Sequence, residues 1–380
     1  MENKYLLYGN KKDCNGCGAC ALVCPKKCIH MMEDEEGFLY PVIDEKECIH
    51  CNRCKNICSN YNMNEKLGKA YMAMNTSELD RQNSASGGMF IILAKYVINH
   101  GGVVCGAKYD ENLIVKHDFA ETIEQCKDFM GSKYARSKID GIYVKIEQFL
   151  KNNRYVLFSG TPCQVAGLKT YLRKDYDKLI TCDVICHANP SPKVFEKYKS
   201  ELERNKNKKV TNIAFRSKEN GWANSIPIIE YEDGQKEEES SFYDAFVTEL
   251  FNRPSCHDCK FSSIKRVSDF TIGDLWGIEE IEPTWNDNKG ISLLVVSTKK
   301  AEKIFLEIKQ YMKIKEVDLD KAFSYNHNKN LPMNKNREKF FKKINKEDDV
   351  IKYMKKYIRG GIITRIKRKT KRALKKILQK

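Results

Sequence analysis

The sequence CNGCGACALVCP, residues 14–25, contains four cysteines with the spacing C-x2-C-x2-C-x3-C, followed by a proline. The sequence CIHCNRCKNICS, residues 48–59, repeats this spacing, with Ser59 in place of the proline. Three closely spaced cysteines can surround one inorganic cluster. When the run occurs twice, the fourth cysteine of each run binds the other cluster. This repeated pattern decides the fold of the N-terminal region.

Doubled runs of this kind are typical of bacterial ferredoxins with two [4Fe–4S] clusters. We therefore predict an α+β ferredoxin-like module over residues 1–65. One cluster is expected on Cys14, Cys17, Cys20 and Cys58, and the other on Cys48, Cys51, Cys54 and Cys24. A pair of zinc sites is the alternative, but zinc sites usually combine two separated C-x2-C pairs. The module is thus expected to transfer electrons.

The composition is that of a globular protein. Of the 380 residues, 41% are hydrophobic and 31% are charged, which suits two or three soluble domains. No stretch approaches the roughly 18 apolar residues of a spanning helix, and residues 1–14 lack the apolar core of a signal peptide. We therefore expect a cytoplasmic protein whose sixteen cysteines bind metal rather than form disulfides.

Residues 66–330 alternate short β-rich runs with helical segments, which predicts a mixed α/β catalytic body. Strands are predicted at 69–74, 102–109, 155–158, 179–185, 270–272 and 291–297. Helices are predicted at 89–99, 139–151, 191–203 and 299–312. Residues 331–380 are predicted to form a polar segment and a basic tail.

Two motifs in the body precede helices. The turn SASGG, residues 84–88, could expose backbone N–H groups to a phosphate, or it could be an ordinary helix cap. The loop SGTPCQ, residues 159–164, follows a strand, which is the usual position of ligand loops in α/β folds. Its cysteine, Cys163, could be a nucleophile, a cluster ligand or a buried thiol. Further cysteines downstream suit zinc, a third [4Fe–4S] cluster or a redox disulfide, and their spacing leaves zinc and iron–sulfur open.

Seven motifs follow one another in the order typical of a known family. They are SASGG at 84–88, GSKYARS at 131–137, VLFSGTPCQVAGL at 156–168, CDVICHANPSP at 182–192, FRSKENGW at 215–222, PSCHDCKF at 254–261 and SDFTIGDLWGI at 268–278. From about residue 70 to residue 312 the chain resembles the coenzyme F420 hydrogenase/dehydrogenase beta-subunit family, whose bacterial members often carry a fused N-terminal ferredoxin domain. Ala188 is a departure, because the family usually has glycine after Cys-His.

The resemblance implies FAD and a further cluster in the body. It assigns a third [4Fe–4S] cluster to Cys163, Cys186, Cys256 and Cys259. Cys182 is left out, because the family usually has another residue there. The resemblance also places the flavin near the helix-opening turn, the GSKY segment and the loop before Cys163. The candidate flavin-binding residues are Ser86, Gly87, Gly88, Gly131, Ser132, Lys133 and Thr161. No catalytic residue is assigned.

A flavin exchanges two electrons with a hydride donor or acceptor and single electrons with clusters. The sequence therefore predicts an iron–sulfur flavoprotein oxidoreductase. Its expected partners are a hydride-donating or hydride-accepting small molecule and a redox partner protein or low-potential electron carrier. The small molecule is a deazaflavin or another reduced substrate, and the resemblance also suggests surface-polysaccharide metabolism. The alternative is a non-catalytic ferredoxin-type carrier that serves a separate enzyme.

The net charge of +16 is concentrated at the C-terminal end. Residues 350–380 contain thirteen Lys or Arg and no Asp or Glu, which leaves +3 for the preceding residues. Apolar residues recur at helical spacing in this segment, which predicts a basic amphipathic helix that can lie on an anionic membrane surface. A peripheral position at the inner membrane face is thus one expectation, and a solvated terminal helix is the alternative. Only this tail suggests nucleic-acid binding, which we do not expect.

Overall fold

The computed structural model describes residues 9–59, 65–326 and 328–358. Residues 362–378, which carry the predicted amphipathic pattern, lie outside the described residues, so the C-terminal helix stays a prediction. Within the described residues, no helix is both long and apolar enough to span a membrane.

The N-terminal module contains a β-hairpin between two short helices. Its elements are α1 (Ala19–Val23), β1 (Ile29–Glu33), β2 (Leu39–Ile43) and α2 (Arg53–Asn56). The strands pair antiparallel, with Ile29 opposite Ile43. Phe38 and Tyr40 are buried beneath the hairpin. Each short helix lies within one of the two cysteine runs, so the backbone folds tightly where the cysteines are closest together.

The body is a mixed α/β structure, as predicted. Its strands are β3 (Lys69–Asn75), β4 (Val103–Tyr109), β5 (Val115–Ala120), β6 (Val156–Gly160), β7 (Leu179–Val184), β8 (Val210–Ser217), β9 (Ile226–Tyr231), β10 (Lys236–Glu238), β11 (Phe270–Asp274), β12 (Ser292–Val296) and β13 (Met312–Val317). Its helices are α3 (Glu78–Gln82), α4 (Met89–Asn99), α5 (Ile123–Cys126), α6 (Ile142–Lys151), α7 (Pro162–Leu172), α8 (Pro192–Lys206), α9 (Ser241–Phe246), α10 (Ile278–Ile281), α11 (Lys299–Ile308), α12 (Leu319–Phe323), α13 (Arg337–Ile344) and α14 (Val350–Ile358). All predicted strands and helices of the body are present. The predicted helix 299–312 ends early, because Met312 begins β13.

Eight strands form one large sheet in the order β13-β3-β12-β11-β7-β6-β4-β5. The four neighbouring strands β11, β7, β6 and β4 are parallel. The flanking pairs are antiparallel. Because parallel strands end at the same edge, the loops after β6, β7 and β11 meet there, where ligands usually bind in open α/β sheets.

Helices cover both faces of this sheet. On one face, α4 and α11 pack their apolar residues against the strands. On the other face, α6 and α7 form a second core with the sheet, and this core also contains Ala19 and Ile57 of the N-terminal module. The module therefore shares a hydrophobic core with the body.

A second sheet, which the sequence did not predict, has three antiparallel strands in the order β10-β9-β8. Its core includes residues of α8, α9, α13 and α14. Phe340 and Ile344 of α13 are fully buried there, as is Met354 of α14. The domain boundary at residue 330 stays a prediction, but residues 337–358 pack as part of the body.

We expect Phe340→Ala to lower the free energy of unfolding by about 3–5 kcal/mol, because it leaves a cavity in a closed core. Anaerobic urea denaturation measures this change. Leu306→Ala is the matched control, since Leu306 is 61% exposed and surface truncations change stability by about 0.5 kcal/mol or less. Equal effects of the two substitutions would contradict the packing of α13 into the body.

Candidate functional site

Two parallel strands and one turn bring four body cysteines together. Cys163 lies in the first turn of α7, directly after β6, and Cys186 follows the end of β7. Cys256 lies in the 3-10 turn Pro254–Asp258, and Cys259 follows it. The main-chain N–H of Arg253 donates to the carbonyl of Asn189 at 2.8 Å, which ties this turn to the loop after β7.

The four cysteines line one cavity, and polar groups contact their sulfurs. The Cys256 sulfur accepts a hydrogen bond from the main-chain N–H of Asn189 at 3.3 Å. The Cys163 sulfur lies 3.2 Å from the Thr161 hydroxyl and accepts from Arg136 Nη1 at 3.6 Å. Donors of this kind orient cysteine ligands and adjust the properties of the metal that they hold.

Zinc and iron–sulfur, which the sequence left open, require different spacings of these sulfurs. A zinc ion with Zn–S bonds of about 2.3 Å would hold its sulfurs roughly 3.8 Å apart. Across the ranges that the structure describes, no three of these four sulfurs lie within 4.8 Å of one another. A four-iron cluster is wider than a single ion and holds its four sulfurs farther apart.

Burial makes these thiols poor acids unless a metal binds them. Desolvation raises the pKa of Cys256 to about 12 and that of Cys259 to about 11, and the neighbouring sulfurs add to the effect. Burial also raises the pKa of Cys186 well above its usual value. A metal deprotonates coordinating thiols outright, so the set suits a metal better than free thiolates.

The first ferredoxin set, predicted as Cys14, Cys17, Cys20 and Cys58, surrounds a second cavity of about 30 Å³. The fourth cysteine of the second run thus joins the first triplet, in the exchange that the sequence predicted. Burial raises the pKa of Cys17 to about 11, with smaller contributions from Cys14 and Cys58.

The second ferredoxin set, predicted as Cys48, Cys51, Cys54 and Cys24, lies nearer the surface. Cys51 is exposed, and Cys48 and Cys54 are half-buried. The Cys24 sulfur lies 3.4 Å from that of Cys28, which is buried at the start of the hairpin. The more exposed of the two ferredoxin sets is therefore this second one.

A glycine on α7 lets the first set reach the body. Gly167 lies one helical turn after Cys163, on the same face of α7. A Cβ at this position would be 2.7 Å from the Cβ of Cys17 and 3.1 Å from its sulfur. The hydroxyl of Tyr143 would be 2.9 Å from the same Cβ. Cys17 therefore packs directly on the helix that carries Cys163.

The cavity that the body cysteines line has a volume of about 480 Å³, within the roughly 300–1,000 Å³ of cofactor and substrate sites. Six of the seven candidate flavin residues line it: Ser86, Gly88, Gly131, Ser132, Lys133 and Thr161. Gly88 has a positive φ of 85° and precedes the first residue of α4, whose N-terminus has no side-chain cap. The free N–H groups of α4 thus begin beside the cavity.

The seventh candidate, Gly87, serves the packing of the sheet. A Cβ there would be 2.4 Å from the carbonyl oxygen of Ala73 and 2.7 Å from the nitrogen of Ser292. Its main-chain N–H donates to the Ser292 hydroxyl at 2.9 Å. A bulky residue at position 87 would therefore separate the turn from β3 and β12, whatever the cavity binds.

The cavity wall also includes His117 of β5, which sequence reasoning missed. Its side chain is buried, and the ring lies 5.1 Å from that of Phe158. Nε2 donates to the carbonyl of Ser159 at 2.8 Å, because a carbonyl only accepts. Nδ1 is then an acceptor, and it has no hydrogen-bond partner among the described residues. Burial lowers the pKa of His117 to about 4, so the ring is neutral near pH 7.

Basic side chains make the cavity suitable for an anion. Lys133 lines it, and burial lowers the pKa of this lysine to about 8, which leaves it mostly charged near pH 7. Its ammonium donates to the carbonyl of Met130 at 2.8 Å. Arg136 also lines the cavity. Burial opposes its charge, but Cys163, Tyr143 and Cys17 together outweigh burial and raise the pKa of the guanidinium.

Comparisons with known proteins agree with the cysteine pattern. Residues 13–61 match the 4Fe-4S dicluster domain. Residues 153–322 match the family described as the C terminus of the coenzyme F420 hydrogenase/dehydrogenase beta subunit. No curated protein matches the chain. Among solved structures, a chain of the xenon-derivatised F420-reducing [NiFe] hydrogenase complex from Methanosarcina barkeri is 18% identical, with 66% of this chain and 82% of that chain covered and a TM-score of 0.46.

The dicluster domain defines the class: this is an iron–sulfur protein. The second match defines the family. Residues 153–322 belong to the coenzyme F420 hydrogenase/dehydrogenase beta-subunit family, a family of oxidoreductases, with the dicluster domain on their N-terminal side. The recognition made from the seven motifs is confirmed.

We expect Gly167→Val to displace Cys17 and to remove about four of the iron atoms of the protein, because one cluster holds four. Thr170→Val is the matched control, since it introduces the same β-branched residue one turn away, where Thr170 donates only to carbonyls of its own helix. Iron and acid-labile sulfide assays of anaerobically purified protein measure the loss. A Gly167→Val protein with full iron content would contradict the direct packing of the first set on α7.

Proposed function

We propose that the chain is an iron–sulfur flavoprotein oxidoreductase that passes electrons between a hydride donor or acceptor and a one-electron partner. FAD in the body cavity and three [4Fe–4S] clusters would carry them. One observation carries this proposal: a single cavity is lined both by the four body cysteines and by six candidate flavin residues. The first ferredoxin set packs at Gly167 on α7, the helix that carries Cys163.

The third cluster is supported by the donor set. Four sulfurs lie at one sheet edge, line one cavity and are accompanied by N–H donors: those of Cys163, Cys186, Cys256 and Cys259. Cys182 does not belong to the set, because its side chain is buried in the core between the sheet and α4. This agrees with the family pattern, in which that position is usually not cysteine.

Cavity-lining residues other than the cysteines support the proposal that FAD binds there. The uncapped N-terminus of α4 and the ammonium of Lys133 suit a phosphate group. The Nδ1 acceptor of His117 suits an N–H or O–H group of the same ligand. Once bound, FAD would convert hydride transfer into single-electron transfer.

The three cysteine sets lie in an order that suits electron transfer. The body set borders the cavity, the first ferredoxin set packs on α7 behind it, and the second ferredoxin set is the most exposed. A redox partner protein or low-potential carrier would then dock at the second set. The hydride partner would enter the cavity, and we propose a deazaflavin or another reduced substrate, with surface-polysaccharide metabolism as one setting.

A ferredoxin-type carrier without catalysis is the alternative function. Two cluster sets alone would serve it, and such a protein would need neither the 480 Å³ cavity nor the polar groups that line it. If anaerobically purified protein contains no flavin and takes none up on reconstitution, the carrier function replaces the enzyme.

We predict about twelve iron atoms per chain, from three four-iron clusters. Cys186→Ala should lower this number to about eight, because three cysteines hold the third cluster poorly. Cys182→Ala is the matched control: it changes a cysteine four residues away that lies in the apolar core, and it should keep about twelve. Metal analysis that finds about eight iron atoms together with zinc in the wild type would assign the body set to zinc.

We predict that His117→Leu weakens FAD binding about fivefold, because loss of one buried hydrogen bond is worth about 1 kcal/mol. His117→Asn should retain most of the affinity, since its amide oxygen can accept in the same place. The pKa of His117 is about 4 and that of Lys133 about 8, so affinity should stay nearly constant from pH 7 to about pH 5. Affinity should then fall as Nδ1 gains a proton and becomes a donor.

Fluorescence titration of deflavinated protein with FAD measures these affinities. His100→Leu is the control, because His100 is an exposed histidine at the far end of α4. Unchanged affinity in His117→Leu would place the flavin elsewhere, even if the protein is a flavoenzyme.

A further inference from the structure

Two arginines meet between the first ferredoxin set and the body set. We infer that Arg136 and Arg253 supply fixed positive charge that raises the reduction potentials of the first and third clusters. They would thereby act as positioning residues for electron transfer between these clusters. For the third cluster, the inference rests on the proposed function.

Both guanidinium groups converge on Gly16, in the loop between Cys14 and Cys17. Arg136 Nη2 donates to the Gly16 carbonyl at 2.9 Å, while its Nη1 donates to the Cys163 sulfur at 3.6 Å. Arg136 therefore joins the two cysteine sets directly.

Arg253 approaches the same loop from the other side. Its Nε donates to the Cys14 carbonyl at 2.9 Å, and its guanidinium atoms lie 3.0–3.1 Å from where a Cβ of Gly16 would be. Its own carbonyl accepts from the main-chain N–H of Cys256 at 2.9 Å. Arg253 thus also contacts both sets, through different atoms.

Neither guanidinium has a carboxylate partner within salt-bridge distance among the described residues. The other inward-facing arginines of the described chain differ, because each pairs with an acid: Arg81 with Asp287, Arg216 with Asp274, Arg266 with Asp183 and Arg337 with Glu36. Arg253 is only 1% exposed. The carbonyls of Cys14 and Leu39 and the ring of Tyr40, 4.1 Å away, stabilise its guanidinium. None of them neutralises the charge, and a buried charge without an anion is unfavourable.

The remaining hydrogen-bonding capacity of Arg253 points to that anion. Its Nη1 is buried and has no partner among the residues described, and the side chain lines the cavity that the body cysteines share. A [4Fe–4S] cluster with four thiolates is an anion, and reduction adds one more negative charge. The two arginines therefore match the charge of the clusters rather than that of another side chain.

The consequence for redox chemistry follows from charge alone. When one electron moves from one cluster to the other, no bond forms or breaks and no proton is needed. A nearby fixed cation stabilises the reduced cluster more than the oxidised one, and net charge and hydrogen bonds to sulfur are established determinants of cluster potential. Because the arginines lie between the two sets, they raise the reduction potentials of both clusters. The difference between the two potentials, which sets the direction of electron exchange, therefore stays small.

Redox titration of the full chain, followed by electron paramagnetic resonance, tests the inference. Arg136→Gln keeps an N–H donor for Gly16 and removes the charge. It should make the clusters at least tenfold harder to reduce, which corresponds to about 59 mV for one electron. Arg136→Lys keeps the charge and should stay within threefold of the wild type. Arg253→Gln and Arg253→Lys should behave in the same way.

Arg337→Gln is the matched control, because Arg337 also joins the N-terminal module to the body but pairs with Glu36. It should leave the potentials unchanged. Iron content, measured on every variant, separates a lost cluster from a shifted potential. Cys186→Ala, which is expected to lack the third cluster, leaves only the signals of the two ferredoxin clusters.

Equal potentials for the glutamine and lysine variants at full iron content would overturn the inference while leaving the proposed function intact. A shift of the same size in Arg337→Gln would also overturn it, because disturbed docking would then explain the effect. Wild-type protein with only eight iron atoms would instead refute the proposed third cluster. The potential of the first cluster would still test the arginines in that case.

Discussion

The contact between Cys17 and the bare backbone of α7 at Gly167 is the constraint on which the arrangement of the site depends. A helix with a side chain at this position could not approach the first cysteine loop, since even a Cβ would lie 2.7 Å from Cys17. Cys163 lies one turn earlier on the same helix face. One glycine therefore sets the separation of two cysteine sets that come from distant parts of the sequence. Ala19 and Ile57 extend the contact by joining the core around α6 and α7.

Charge is the second constraint on this contact. The first ferredoxin set and the body set share one interior. Burial and the neighbouring sulfurs disfavour the ionised form of each thiol, as the raised pKa values of Cys17, Cys186 and Cys256 show. A metal and nearby cations are the two ways to stabilise them. Arg136 and Arg253 lie at the junction: Gly16 leaves room for Arg253 because it lacks a side chain, and its carbonyl accepts a hydrogen bond from Arg136. The packing contact and the two positive charges thus lie at the same loop, between Cys14 and Cys17.

The sequence predicted structural features that depend on residues close together in the chain. It did not predict features that depend on contacts between distant residues. Close spacing predicted the ligands in residues 14–25 and 48–59 before any fold was known, and periodicity predicted the main strands and helices of the body. The sheet β8-β9-β10 and helices α13 and α14, in contrast, acquire their apolar environment from one another across more than a hundred residues. Nothing near His117 distinguishes a cavity acceptor from an ordinary core histidine. Gly87 suggested phosphate contact, whereas its close neighbours are the backbones of β3 and β12.

The three cysteine sets differ in exposure. In the proposed enzyme, this difference would keep the hydride-transferring small molecule apart from the one-electron partner protein. Hydride chemistry requires a cavity that admits a small molecule, whereas one-electron exchange with a protein requires a cluster close to the surface. The first set lies between α7 and the two arginines, and all four of its cysteines are half-buried. The body set borders the cavity, and the exposed Cys51 belongs to the second set. In the proposed function, the first set thus lies between the hydride end and the protein-docking end, and electrons would pass between the two ends through the junction that Gly16, Gly167 and the arginines define.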